Sequence, residues 1–96
     1  MSARPTFRFC LYVADDSPNG AEAVANLSAI CNEYLAGRYK IEVVDVLKSP
    51  ERAEEANVVM TPTLIRTSPP PVCRIVGNLS QTATVLQAIG IETRDA

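Results

Sequence analysis

The segment Val58-Val59-Met60-Thr61-Pro62-Thr63-Leu64-Ile65-Arg66-Thr67 turns a short apolar approach into a strand at a proline. Thr63 to Thr67 is β-branched and reads as a strand. Pro62 has no N–H to give a ladder, so it marks where that strand begins. Downstream, Ser68-Pro69-Pro70-Pro71 cannot pair and forms a loop, and Val72 to Val76 is the next strand, with Gly77-Asn78 as its turn. Ser80 is then expected to cap a last helix from Gln81 to about Ile89, whose Ala83, Val85, Leu86 and Ile89 include a buried stripe. Gly90 ends that helix, and residues 93–96 are expected to form a flexible tail.

Upstream of Val58 the reading continues in reverse. Ser49-Pro50-Glu51 opens a helix with a Ser cap, Pro in the first turn and an acid near the positive end of the dipole. Arg52 to Ala56 continues it and Asn57 closes it. Lys40 to Leu47 is a β-branched, partly alternating strand. Before it, Val24, Leu27, Ile30, Cys31, Tyr34 and Leu35 recur at three- and four-residue steps over Ala21 to Ala36, one face of an amphipathic helix that Gly37 stops. Ser17 before Pro18 is the expected cap of this helix. Thr6 to Ala14 is apolar on both faces, with Phe7, Phe9, Leu11 and Val13 on one and Cys10 and Tyr12 on the other, as in a central strand covered by helices on both sides.

The order is βαβαββα in an α/β domain. With a proline entering the third strand, it is the thioredoxin-like arrangement: a mixed four-stranded sheet with flanking helices. The 96 residues make a single domain, 1–96, with no room for a second core. A hydrophobic fraction of 47% against 21% charged residues is a globular balance, and a net charge of −2 lacks the footprint of a nucleic-acid or membrane-surface binder. No apolar run approaches the ~20 residues of a bilayer span, and no apolar core of a signal peptide follows Arg4, so a cytoplasmic location is expected.

The chemistry is narrowed further by what the chain lacks. It has no histidine, hence no Ser-His or Cys-His pair and no imidazole metal ligand. Its three cysteines, Cys10, Cys31 and Cys73, have neither disulfide-framework nor zinc spacing. In a thioredoxin-like redox protein the nucleophilic cysteine stands at the N-terminus of the first helix, where the dipole favours the thiolate. Asp15, Asp16, Ser17 and Pro18 stand there instead. No cofactor, metal or catalytic residue is therefore assigned. Such folds place a cis proline at the third strand, so Pro62 is expected to be cis, leaving Met60 and Thr61 as exposed backbone for docking.

Several blocks together resemble the KaiB family of the cyanobacterial clock and its relatives in other bacteria and archaea. They are Leu11-Tyr12-Val13-Ala14 with Pro18-Asn19; Val44-Asp45-Val46-Leu47-Lys48 with Pro50; Ala53-Glu54-Glu55; Thr61-Pro62-Thr63-Leu64; and Pro69-Pro70-Pro71-Val72 with Arg74-Ile75-Val76-Gly77-Asn78-Leu79-Ser80. The resemblance implies a noncatalytic regulator that binds KaiC, a hexameric RecA-type ATPase and autokinase. It also implies a sensor histidine kinase or KaiA-like protein as competitor or co-partner, and a homo-oligomer, dimer or tetramer, in the unbound state. The family is known for two folds, the alternative being a ground state with a rearranged second half. Family members tend to carry Gly where Ala88 stands and Asp where Gly90 stands. Ala is worth about 1 kcal/mol over Gly inside a helix, so this chain is expected to favour the thioredoxin-like state.

Asn57, Met60, Thr61 and Pro62 are the first choice for ATPase contacts, and Lys40 and Glu42 offer a sheet edge for strand pairing. Clock members tend to be basic where Glu22, Glu42 and Asn57 stand, which alters the choice of partner. Two other readings stay open. One is a thioredoxin-like thiol oxidoreductase using Cys10, Cys31 or Cys73; the other is an adaptor for an unrelated kinase or stress-response partner.

Overall fold

A computed structural model describes residues 6–15 and 17–91, so Asp16 and the expected tail at 93–96 lie outside the described residues. The elements run β1 (Phe7–Val13), α1 (Pro18–Tyr34), β2 (Tyr39–Asp45), α2 (Pro50–Glu55), β3 (Thr63–Ser68), β4 (Cys73–Val76) and α3 (Thr82–Ala88). This is the expected βαβαββα order, with the second half in its thioredoxin-like arrangement. The sheet order is β2-β1-β3-β4. β1 pairs parallel with β2, antiparallel strands follow on its other side, and a bulge between Arg8 and Phe9 offsets the β1–β3 register.

Alternation along β1 builds two cores. Phe7, Phe9, Leu11 and Val13 pack with Ala23, Leu27, Ile30, Cys31 and Leu35 of and just beyond α1, and with Val85, Leu86 and Ile89 of and just beyond α3. Cys10 and Tyr12 face the other way, onto Val44, Ile65 and the half-buried Val46, Ala56 and Val58. The first face is sealed by two helices. The second is covered only by α2, which contributes no fully buried residue.

The helix ends separate successful from failed capping signals. Ser17 caps α1 as expected, its Oγ accepting the Gly20 N–H at 3.1 Å. Pro18 is already helical, so α1 begins before Ala21, and it stops at Tyr34 before the left-handed Gly37. Ser49 makes no side-chain cap to α2. Ser80 does not cap α3 either. The residue at that position is Gln81, itself without a side-chain cap, while the Ser80 N–H donates to Asn78 Oδ1 at 3.1 Å in a local turn. α3 begins at Thr82, one residue later than expected, which puts Ser80 ahead of the cap position. Ala88 is the last residue of α3, and Gly90 follows at φ +82°. β2 ends at Asp45 rather than Leu47, because Asp45 Oδ1 accepts the Leu47 N–H at 2.9 Å and folds the chain into a turn.

One buried cation ties the second half together. Arg66 on β3 is 7% exposed; its Nη1 donates to the Ile89 carbonyl and its Nη2 to the Pro71 carbonyl at 2.6 Å. The guanidinium also stands 5.8 Å from the Phe7 ring centroid, within reach of a cation–π attraction.

Candidate docking surface

The register sets Thr63 opposite Tyr12, so Pro62 lies beside the end of β1 from which the chain leaves for α1. The Thr61–Pro62 bond is cis, as are Ser68–Pro69 and Pro70–Pro71. Where a redox thiol would stand in this fold, Ser17 Oγ is engaged as the helix cap. The Asp15 N–H donates to Asp45 Oδ1 at 3.1 Å. Leu47 and Asp15 amides thereby hold the Asp45 carboxyl below its ordinary range.

The α2–β3 loop is fixed from several sides. Asn57 turns the chain at φ +57°, and the Val58 N–H returns to the Ala53 carbonyl at 2.8 Å. Arg74 of β4 donates to the Ala56 carbonyl at 2.6 Å and the Asn57 carbonyl at 3.2 Å. Thr63 Oγ1 donates to the Met60 carbonyl at 2.5 Å, and the Gly77 N–H to the Pro62 carbonyl at 2.9 Å. What this frame presents outward includes two large apolar side chains: Val59 is 92% exposed and Met60 60%. Beside the loop, a shallow cavity of about 320 Å3 is lined by apolar side chains of Val46, Pro50, Ala53, Val58 and Val59, with Glu54 and Thr61 as its polar members.

Asn57, Met60, Thr61 and Pro62 are thus gathered in one hydrogen-bonded loop, with Thr61 half-buried and Pro62 buried. Lys40 and Glu42 do not join them. They lie on the edge strand β2, separated from β3 by β1. Glu42 is also committed inside the molecule: it accepts both Arg52 guanidinium nitrogens, at 3.0 and 2.9 Å. Arg52 holds the Glu42 carboxyl below its usual range. The sequence reading missed this pair, since strand and helix meet only in three dimensions, and it missed the Arg74 brace for the same reason.

The cysteines are free and divided between the two sides of the sheet. Burial pushes the Cys31 thiol up to about 12 and also raises Cys10. Neither environment favours a thiolate. Among the described residues no group of three His, Cys, Asp or Glu side chains is placed to hold a metal ion, and no helix is long and apolar enough to cross a membrane.

Comparison with known proteins adds an independent line. The SasA N-terminal domain of Synechococcus elongatus superposes with a TM-score of 0.73 at 20% identity, covering 91% of this chain and 83% of that one. The thioredoxin Deadhead of Drosophila melanogaster gives 0.71 at 16% identity, over 90% and 82%. At these identities the likeness establishes the thioredoxin-like fold. Sequence goes further: the circadian clock oscillator protein KaiB of Prochlorococcus marinus strain NATL2A is 46% identical over 96% of this chain and 84% of its own. The circadian clock protein KaiB3 of a Synechocystis strain is 44% identical over 84% and 79%. A family model described as the KaiB domain matches residues 10–91, and with these relatives it shows that the chain belongs to the KaiB family.

Proposed function

We propose that this chain is a noncatalytic clock regulator that docks on a KaiC-like hexameric ATPase and autokinase and modulates its phosphorylation or signalling. The observation that carries this is the braced loop from Asn57 to Pro62, which holds Val59 and Met60 out in solvent. A hydrogen-bonded backbone spares binding the cost of ordering the loop and leaves only the side chains to be fixed. Naming of the relatives as circadian clock proteins supports the clock role. Asn57, Met60 and Thr61 are the contact residues, with Pro62 setting the loop. Lys40, on the free edge of β2, is the place for strand pairing with a co-partner.

A sensor histidine kinase or KaiA-like protein acts in this scheme as competitor or co-partner, in the cytoplasm. Exchange with a rearranged ground state, and a homo-oligomer in that state, belong to the same proposal. Ala88 closes α3 rather than lying inside it, so the weight toward the thioredoxin-like state falls chiefly on the left-handed Gly90 that follows. An oxidoreductase reading is disfavoured by the raised thiols of Cys10 and Cys31.

Size-exclusion chromatography of the full chain with a candidate KaiC-like ring, with and without ATP, tests the reading. Co-elution is expected, weakened at least tenfold in affinity by Met60→Asp while the unfolding midpoint stays put. Failure to associate with any KaiC-like ATPase overturns it, as does disulfide turnover that a triple Cys→Ser variant abolishes.

A further inference from the structure

The second sheet face is unevenly covered. A six-residue α2 is about 9 Å long, whereas the seven-residue β1 it lies against extends about 23 Å. Helix and loop cover Val44 and Ile65, while toward the start of β1 and β2 the face carries a cleft whose near wall is Arg52 of α2 and Tyr12. Strands and helix together form a cavity of about 420 Å3, lined among others by Arg8, Tyr12, Lys40, Glu42, Arg52 and Thr67. This falls within the ~300–1,000 Å3 typical of small-molecule sites.

The charges of this cleft are at odds with stability. Arg8 and Lys40 are direct partners in the parallel β1–β2 register, both exposed on the same face. Like charges directly opposite each other on neighbouring strands destabilise a sheet. Glu42, two residues along from Lys40, does not relieve them. Both its oxygens are taken by Arg52, in the only ion pair among the described residues. Three cations therefore converge on one cavity against a single carboxylate, two of them without an acidic partner among the described residues. Arg8 and Lys40 have nothing to gain from each other, and much to gain from an anion placed between them.

We propose that this cleft binds a phosphorylated small molecule. A guanidinium fork from Arg8 and the ammonium of Lys40 supply charge-assisted hydrogen bonds to the phosphate oxygens. Thr67, whose hydroxyl lies 3.3 Å from the Arg8 carbonyl, and the deeper Tyr12 and Cys10 form the floor and wall for the rest of the molecule. The site is independent of the ATPase-docking loop, which lies beyond β1 on β3's leading end.

Isotope-labelled full-length chain titrated with inorganic pyrophosphate, and in parallel with ADP, provides the test. Saturable amide shifts are expected at Arg8 to Tyr12, Lys40 to Glu42 and Thr67, with ADP perturbing a wider part of the cleft than pyrophosphate. The Arg8→Gln/Lys40→Gln variant should weaken both probes at least tenfold, whereas Lys48→Gln, outside the cleft, should leave them unchanged. Retained amide dispersion, and an unfolding midpoint no lower than that of the parent, show that the double variant is folded. Should it unfold, Lys40→Gln alone carries the same test with at least a threefold loss. Shifts that do not saturate, or that track Lys48 as strongly as Arg8 and Lys40, overturn the proposal. So does pyrophosphate binding indifferent to the substitutions.

Discussion

At Gly90 the backbone takes φ +82°, and a Cβ built there would stand 2.7 Å from Arg66 Nη1. A left-handed conformation alone costs an L-residue about 1–2 kcal/mol, and the guanidinium that must yield is hydrogen-bonded to the Ile89 carbonyl. Gly90→Ala is expected to lower stability by about 1–3 kcal/mol, read as a shift in the urea midpoint. Asp45 sets the acid limit of its neighbourhood. The Leu47 N–H first, and the Asp15 N–H after it, lower its carboxyl below the ordinary 3.8. A depressed folded value means stability that is complete above the unfolded value and is lost as pH falls through the folded one. Asp45→Asn should therefore flatten the pH dependence of the midpoint below about pH 4, while leaving its slope near pH 7 unaltered.

Among the elements, α2 is the least self-sufficient: six residues, none fully buried, held by Arg52 to Glu42 on one side and by Arg74 to the Ala56 and Asn57 carbonyls on the other. Arg74→Ala should speed amide hydrogen exchange through Ala53 to Met60 severalfold while leaving β1 protected, a contrast that exchange mass spectrometry reads directly. The limits of sequence reading show in the same element. β1 was legible because both its faces are apolar, and α1 because its stripe, Ser17 and Gly37 agree on one helix. Ser49 and Ser80 carry the same local signal as Ser17, but neither side chain caps a helix. The residue type does not separate them: the backbone N–H of each is held in a local turn, and only the Ser17 hydroxyl is placed to accept from its helix. The loop at Asn57 to Pro62 was legible as a candidate surface from its proline and its place in the order. Its bracing was not, since Arg74 reaches it from 17 residues away.

Over the whole molecule, the sheet and the α1–α3 layer carry the stability. Leu11 sits fully buried at the middle of β1, against both helices of the larger core. Removing such a side chain costs about 2–5 kcal/mol, a large part of the ~5–14 kcal/mol expected for a chain of this length. Leu11→Ala should thus lie close to the unfolding threshold at 37 °C, with a calorimetric transition lowered by 10 °C or more. The α2 side carries far less of that load, so substitutions at Val59 or Met60, both largely in solvent, leave the scaffold standing while the surface changes.

The Arg66 guanidinium has a consequence for how the C-terminal portion comes apart. Its two carbonyl partners belong to the proline loop and to the end of α3, and its aromatic neighbour to the first strand. If α3 peeled away by itself, the cation would lose the Ile89 oxygen and keep only the Pro71 carbonyl and the Phe7 ring. Helix, proline loop and the end of β3 thus share one cation, and loosening any one of them weakens the hold on the other two.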